Sequence, residues 1–112
     1  MFRTEKLIKK LCHSCPFAKT ANLLGDSIIL FILKELSVDK KSFSEIEESL
    51  HSVSSRTITE KLKFLEEEKM ILRKKEAGKP TRVFYTLTEK AKAFKQVESS
   101  LVSFGNEFFR PD

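Results

Sequence analysis

The feature that most constrains this chain is a change of period. Ile58, Leu62 and Leu65 are spaced by four and three residues, the repeat of one helix face. Soon afterwards Thr81, Val83, Tyr85 and Leu87 alternate with Arg82, Phe84 and Thr86, a β-branched and aromatic strand. The helical repeat then returns in Phe94, Val97, Leu101, Phe104 and Phe108. A chain patterned this way folds as helices interrupted by one small sheet.

Capping residues divide the helical part. Asp26 suits the N-cap of a helix over 27–36, apolar on nearly every face and expected at the centre of the core. Ser44, with Glu47 three residues on, reads as a capping box for a helix over 45–50. His51-Ser52-Val53 is a tight connection, and Ser54 can cap a further helix reaching Lys69. Two short helices joined so closely, the second amphipathic and basic, form a helix-turn-helix candidate over about 44–69. Strands over 71–75 and 81–87 around Glu76-Ala77-Gly78-Lys79-Pro80 make a basic hairpin, and Thr88 can cap a last helix over 89–108. Ahead of these, Leu7, Ile8 and Leu11 mark a short amphipathic helix, and Pro16 suits the start of another in which Ala18, Ala21, Leu23 and Leu24 are expected to be buried. Helix, helix-turn-helix, hairpin, helix is the plan of a winged helix: mainly α, with a β-hairpin wing over about 71–87.

Composition narrows the function. A chain of 112 residues supports one domain, expected over 1–112. The longest apolar run, Ile28 to Leu33, is too short to span a membrane, and no signal-peptide stretch follows Met1. A soluble cytoplasmic protein is expected. Two cysteines build no disulfide framework. The net charge is +5, and residues 54–82 hold nine basic and five acidic groups, a surplus of +4 in one quarter of the chain. Such clustering suits a polyanion, and a hydroxyl-rich helix start suits bases in the major groove. Ser54, Ser55, Arg56, Thr57, Thr59 and Lys63 are therefore the candidate DNA-reading residues, with Lys61 at the flank. Lys75, Lys79 and Arg82 are the candidate backbone contacts of the wing. A solvated helix face and a lysine-protected sheet edge explain the same residues without DNA.

At the level of whole motifs the sequence resembles the HxlR-type winged-helix transcription regulators, relatives of the MarR group. The resemblance begins at Cys15-Pro16, passes through Ala21, Leu24 and Gly25, and includes Ile32-Leu33-Lys34-Glu35-Leu36. It continues through Phe43-Ser44-Glu45-Ile46 and Val53-Ser54 to Thr59-Glu60-Lys61-Leu62-Lys63-Phe64-Leu65-Glu66, and ends at Pro80, Arg82, Val83 and Tyr85-Thr86-Leu87-Thr88-Glu89. Two positions depart from the pattern: Ile28 stands where the family has Trp, and Glu68-Lys69-Met70 replaces an acidic-Gly-Leu ending.

The resemblance implies a homodimeric regulator of transcription, more often a repressor, bound to a two-fold operator in double-stranded DNA. The dimer would use helices over about 3–12 and 89–109, through Leu7, Leu11, Phe94, Val97, Leu101, Phe104 and Phe108. It also implies a sensor cysteine at Cys15 in some members, and the dipole of the helix that Cys15 opens would favour its thiolate. Cys12 and Cys15 have the spacing of a zinc pair, but no second pair completes four ligands, so no metal or other cofactor is expected. No phosphate-cradling loop or nucleophile motif points to an enzyme. A winged helix used only for protein contacts, or a thiol or metal switch at Cys12 and Cys15, remain the alternatives.

Overall fold

A computed structural model of the protein describes residues 15–111. The expected helix over 3–12, and with it Leu7, Leu11 and Cys12, lies outside the described residues.

Pro16 opens α1 (Pro16–Leu24), with Cys15 at its N-cap. No residue of α1 is buried. The expected burial of Ala18 and Ala21 is thus corrected: the helix lies on the outside, and only Leu23 and Leu24 lean on the core. At its end Gly25 is needed for space rather than for φ, because an added Cβ would stand 2.7 Å from the Ala21 carbonyl oxygen. Asp26 then caps α2 (Ser27–Val38), its Oδ1 accepting from the N–H groups of Ile28 at 2.9 Å and Ile29 at 3.2 Å. Ile29, Ile32, Leu33 and Leu36 of α2 are buried and form the centre of the core, whereas Phe31 and Val38 remain exposed.

Beyond α2, Lys41–Ser42 forms β1, a strand the sequence did not announce. The chain turns at once into α3 (Phe43–Ser49). The capping box is therefore Ser42–Glu45, one step earlier than the expected Ser44–Glu47. Ser42 Oγ accepts from Glu45 N–H at 3.2 Å, and Glu45 Oε1 accepts from Ser42 N–H at 2.9 Å. Those bonds hold the Glu45 carboxyl below the usual range, the Ser42 backbone N–H contributing most. The box shifts because Ser42 is fixed on β3 by pairing with Phe84, so the helix starts where the strand lets go.

Ser54 caps α4 (Ser55–Glu67), as its place in the sequence predicts, by accepting from Thr57 N–H at 3.2 Å. Val53, in the connection from α3, packs against the core. Ile58, Leu62 and Leu65 of α4 are buried, which confirms the helical repeat. The hairpin is β2 (Ile71–Glu76) and β3 (Arg82–Leu87), joined through a cis Lys79–Pro80 peptide. It belongs to an antiparallel sheet of order β1-β3-β2 rather than standing alone. Tyr85 and Leu87 of β3 and Ile71 of β2 point into the core. Thr88 Oγ1 accepts from Ala91 N–H at 3.2 Å and donates to the Lys69 carbonyl at 3.0 Å, stitching the sheet's exit to the end of α4. The last segment begins as a 3-10 turn (Lys90–Ala93) before α5 (Phe94–Phe108).

The fully buried side chains are Ile29, Ile32, Leu33, Ile46, Ile58, Leu62, Leu65 and Ile71, all aliphatic. Each contributes about 1.5–3 kcal/mol of burial. They join α2, α3, α4 and β2 into one core, which fixes how α4 is presented.

Candidate nucleic-acid interface

The outward face of α4 carries Ser55, Arg56, Thr59, Glu60 and Lys63, all exposed. The first turn spends its hydroxyls internally. Ser54 Oγ caps the helix and donates to Thr57 Oγ1 at 3.0 Å, Thr57 is half-buried, and Thr59 Oγ1 donates to the Ser55 carbonyl at 2.8 Å. Ser55 Oγ donates to the Glu47 carboxylate, which ties the start of α4 to α3. Glu47 is thus not a capping residue but a brace between the two helices of the motif. What remains free to reach outward is the cation at the end of Arg56 and that of Lys63. Arg56 Nε lies 3.2 Å from Glu60 Oε1 on the next turn, both side chains well exposed, so the guanidinium is held along the helix by a weak pair.

Lys61 lies apart from that set. Its Nζ is 2.6 Å from Asp26 Oδ2, and its side chain is only 27% exposed. The expected flanking phosphate contact is replaced by a bond between α4 and the N-cap of α2, which the sequence separation conceals.

The hairpin presents Arg73, Lys74, Lys75, Lys79 and Arg82, all exposed. Cross-strand pairing sets Lys75 opposite Val83 and Glu76 opposite Arg82. Lys40, which the sequence did not single out, pairs with Glu76 at 3.1 Å and lies 4.7 Å over the Phe84 ring. Arg56 and Lys63 on α4 and the cations of the hairpin therefore belong to two elements fixed on one core.

The candidate intermolecular residues divide. Phe94 is buried in the core of its own chain and Val97 packs beside it, so neither is free for a second subunit. The helical stripe does not show this, because it runs on unbroken from residues that meet the core to residues that pass beyond it. Leu101, Phe104 and Phe108 stay exposed, with Phe104 64% and Phe108 68% accessible. The Phe104 and Phe108 rings stack at 5.7 Å, and Phe109 meets Phe108 edge-on at 4.9 Å. Cys15 is half-buried at the start of α1. Among the described residues no three of His, Cys, Asp and Glu gather as a metal would need, and no helix is long and apolar enough to cross a membrane.

Two short helices, the second with an aliphatic inner face and a polar, cationic outer one, followed by a basic antiparallel hairpin, define a winged helix-turn-helix protein. A family model described as HxlR-like helix-turn-helix matches residues 23–112, and the chain belongs to that family. It is 33% identical over 98 residues to the HTH-type transcriptional regulator YvaP of Bacillus subtilis, covering 87% of this chain and 91% of the relative. It is also similar to the HTH-type transcriptional regulator YodB of Bacillus subtilis. The structure of YodB in its reduced form superposes with a TM-score of 0.77 at 32% identity, over 88% of this chain and 97% of that one. The redox regulator HypR in its oxidised form gives a TM-score of 0.72 at 26% identity, over 88% and 99% of the two chains.

Proposed function

We propose that the protein is a transcriptional regulator that binds a specific double-stranded DNA operator as a cytoplasmic homodimer and represses from it. The observation that carries the reading is the outer face of α4. Arg56 and Lys63 project from a helix whose inner face is locked into the core, beside a hairpin that adds Lys75, Lys79 and Arg82. A rigidly held helix of this width fits the major groove, where arginine reads guanine. Hairpin lysines neutralise phosphates and set the register. Ser54, Ser55, Thr57 and Thr59 shape the first turn and orient Arg56 more than they read bases. The exposed Leu101, Phe104 and Phe108 of α5 supply the contact between two copies, and two-fold symmetry then sets two half-sites.

Thiol responsiveness through Cys12 and Cys15 belongs to the same reading. It is supported by the position of Cys15 at the opening of α1 and by the likeness to regulators described as redox-responsive. No cofactor is needed for the proposed activity, which is binding and not catalysis.

Selection from a randomised duplex pool with the reduced protein tests the proposal. An inverted repeat with half-sites about ten base pairs apart is the expected result. The oxidised protein is then measured on that site, where a change in affinity is expected. Sequence-blind binding would reject a specific regulator and leave the fold as a protein-interaction module.

A further inference from the structure

Where α1, the turn after α4 and the 3-10 segment meet, the surface folds into a cleft of about 440 Å³. Its floor is apolar, built from Leu23, Leu24, Met70, Phe94 and Val97, and Lys69, Lys90 and Glu68 line it as well. A second cleft shares Thr20, Leu23, Glu68 and Lys90 with the first and adds Lys19 and Asn22. The joined space has the size and mixed lining of a small-molecule site. Its ionisable groups are three cations, Lys19, Lys69 and Lys90, against the one carboxylate of Glu68.

Asn22 supplies a second, independent observation. Its Oδ1 is buried and has no hydrogen-bond partner, the one such side-chain atom among the described residues. A buried acceptor left unmade costs free energy, so it calls for a donor.

We propose that the joined cleft binds a small apolar acid that also bears a hydroxyl, an aromatic or branched-chain hydroxycarboxylate. Its body covers Leu23, Phe94 and Val97, its carboxylate meets Lys69 and Lys90, and its hydroxyl donates to Asn22. The wall formed by Glu68, Lys69 and Met70 is also the turn that ends α4, with Lys69 at φ 61°. A ligand seated there favours one arrangement of that turn against α5, and so shifts the affinity of α4 for its target. This regulatory half rests on the DNA-binding reading; the site itself does not.

The test uses the full chain with 4-hydroxybenzoate as the probe and 4-hydroxybenzyl alcohol as its uncharged counterpart. Methyl NMR reads binding directly at Leu23, Leu24 and Val97, without DNA. Saturable shifts at these methyls are expected, with hydroxybenzoate favoured over the alcohol. Lys90→Gln is expected to weaken hydroxybenzoate about tenfold and leave the alcohol unchanged, the loss of one charged contact. Ala93→Phe, at the exposed rim, is expected to abolish both without unfolding the protein. An absence of shifts at millimolar probe overturns the site, as do shifts centred on Leu101 and Phe104, or contacts from a second copy filling the cleft. DNA anisotropy on the selected operator then reads the coupling, where a change of about fivefold or more is expected. An unchanged operator affinity with the methyl shifts intact overturns the coupling alone. Failure of all DNA binding with the shifts intact rejects the regulator and keeps the site.

Discussion

Lys61 Nζ lies 2.6 Å from Asp26 Oδ2, so the carboxylate that caps α2 through one oxygen holds α4 through the other. The helix that faces outward with Arg56 is thereby bonded to the N-terminus of the helix that centres the core. Both side chains are largely shielded, at 27% and 16% exposure, which places the pair above an ordinary surface bridge in worth.

Asparagine caps a helix as well as aspartate does, so Asp26→Asn isolates the pair with Lys61. It is expected to cost about 1 kcal/mol in denaturant unfolding, and Asp26→Ala, which also loses the cap, about 2 kcal/mol. Burial pushes the Asp26 carboxyl up, but the Lys61 hydrogen bond, the N–H groups of Ile29 and Ile28 and the lysine charge outweigh it and hold the group below its ordinary 3.8. A carboxyl depressed in the folded state stabilises fully above its unfolded value. That contribution is lost as the pH falls through the folded one. The gap between the native protein and Asp26→Asn is therefore expected to be constant near neutrality and to close only below that ordinary value. A gap that closes around pH 6 would contradict the assignment. Lys61→Met is expected to weaken DNA binding with no change in salt slope, since this lysine meets Asp26 and no phosphate.

Lys69 is the residue of the described chain with positive φ outside glycine, at 61°. It occupies the left-handed position of a Schellman ending, with Lys69 N–H donating to the Glu66 carbonyl at 3.0 Å and Met70 N–H to that of Leu65 at 2.9 Å. A side chain there costs what glycine avoids. Lys69→Gly is expected to raise stability by about 0.5–1 kcal/mol in thermal unfolding. A lowered midpoint would show that the lysine side chain contributes more than the strain removes.

Arg56 reaches outward with Glu60 as its neighbour. Arg56→Ala is expected to lose about 1–3 kcal/mol on the selected operator and to relax the preference at one base position. Glu60→Gln is expected to tighten binding to all sequences, because it removes a negative charge from the DNA face. Lys79→Ala, on the hairpin, is expected to weaken every duplex alike and to reduce the salt slope by about one. A loss confined to the operator would move Lys79 from phosphate to base contact.

Phe104 and Phe108 stack on a face of α5 that nothing in the chain covers. Phe104→Glu is expected to weaken self-association by about 2 kcal/mol or more, read as a shift towards monomer in sedimentation. Phe94→Ala is expected to behave differently, costing about 3–5 kcal/mol of monomer stability, because that ring is buried in its own core. Equal effects of the two substitutions on association would reject the division of the stripe.

Much of this protein was legible along the chain. The spacing of Ile58, Leu62 and Leu65 determined the inner face of α4, Ser54 and Asp26 marked helix starts, and alternation from Val83 to Leu87 marked the central strand. Arg56 and Lys63 followed as the outer face, since a helix with one face buried must present the other. These are local facts, decided by period and by capping atoms within four residues. Three matters depended on contacts distant in sequence. Ser42 and Ser44 each have Glu three residues on, and only pairing of Ser42 with Phe84 across the sheet selects the first. Lys61 reads as one more surface cation until folding brings Asp26 to its amine, thirty-five residues away in sequence. The stripe from Phe94 to Phe108 keeps one period throughout, and only the extent of the core decides where burial ends and an uncovered face begins. Period and caps are properties of neighbours along the chain; partners and burial are set by the whole fold, because both are measured through space.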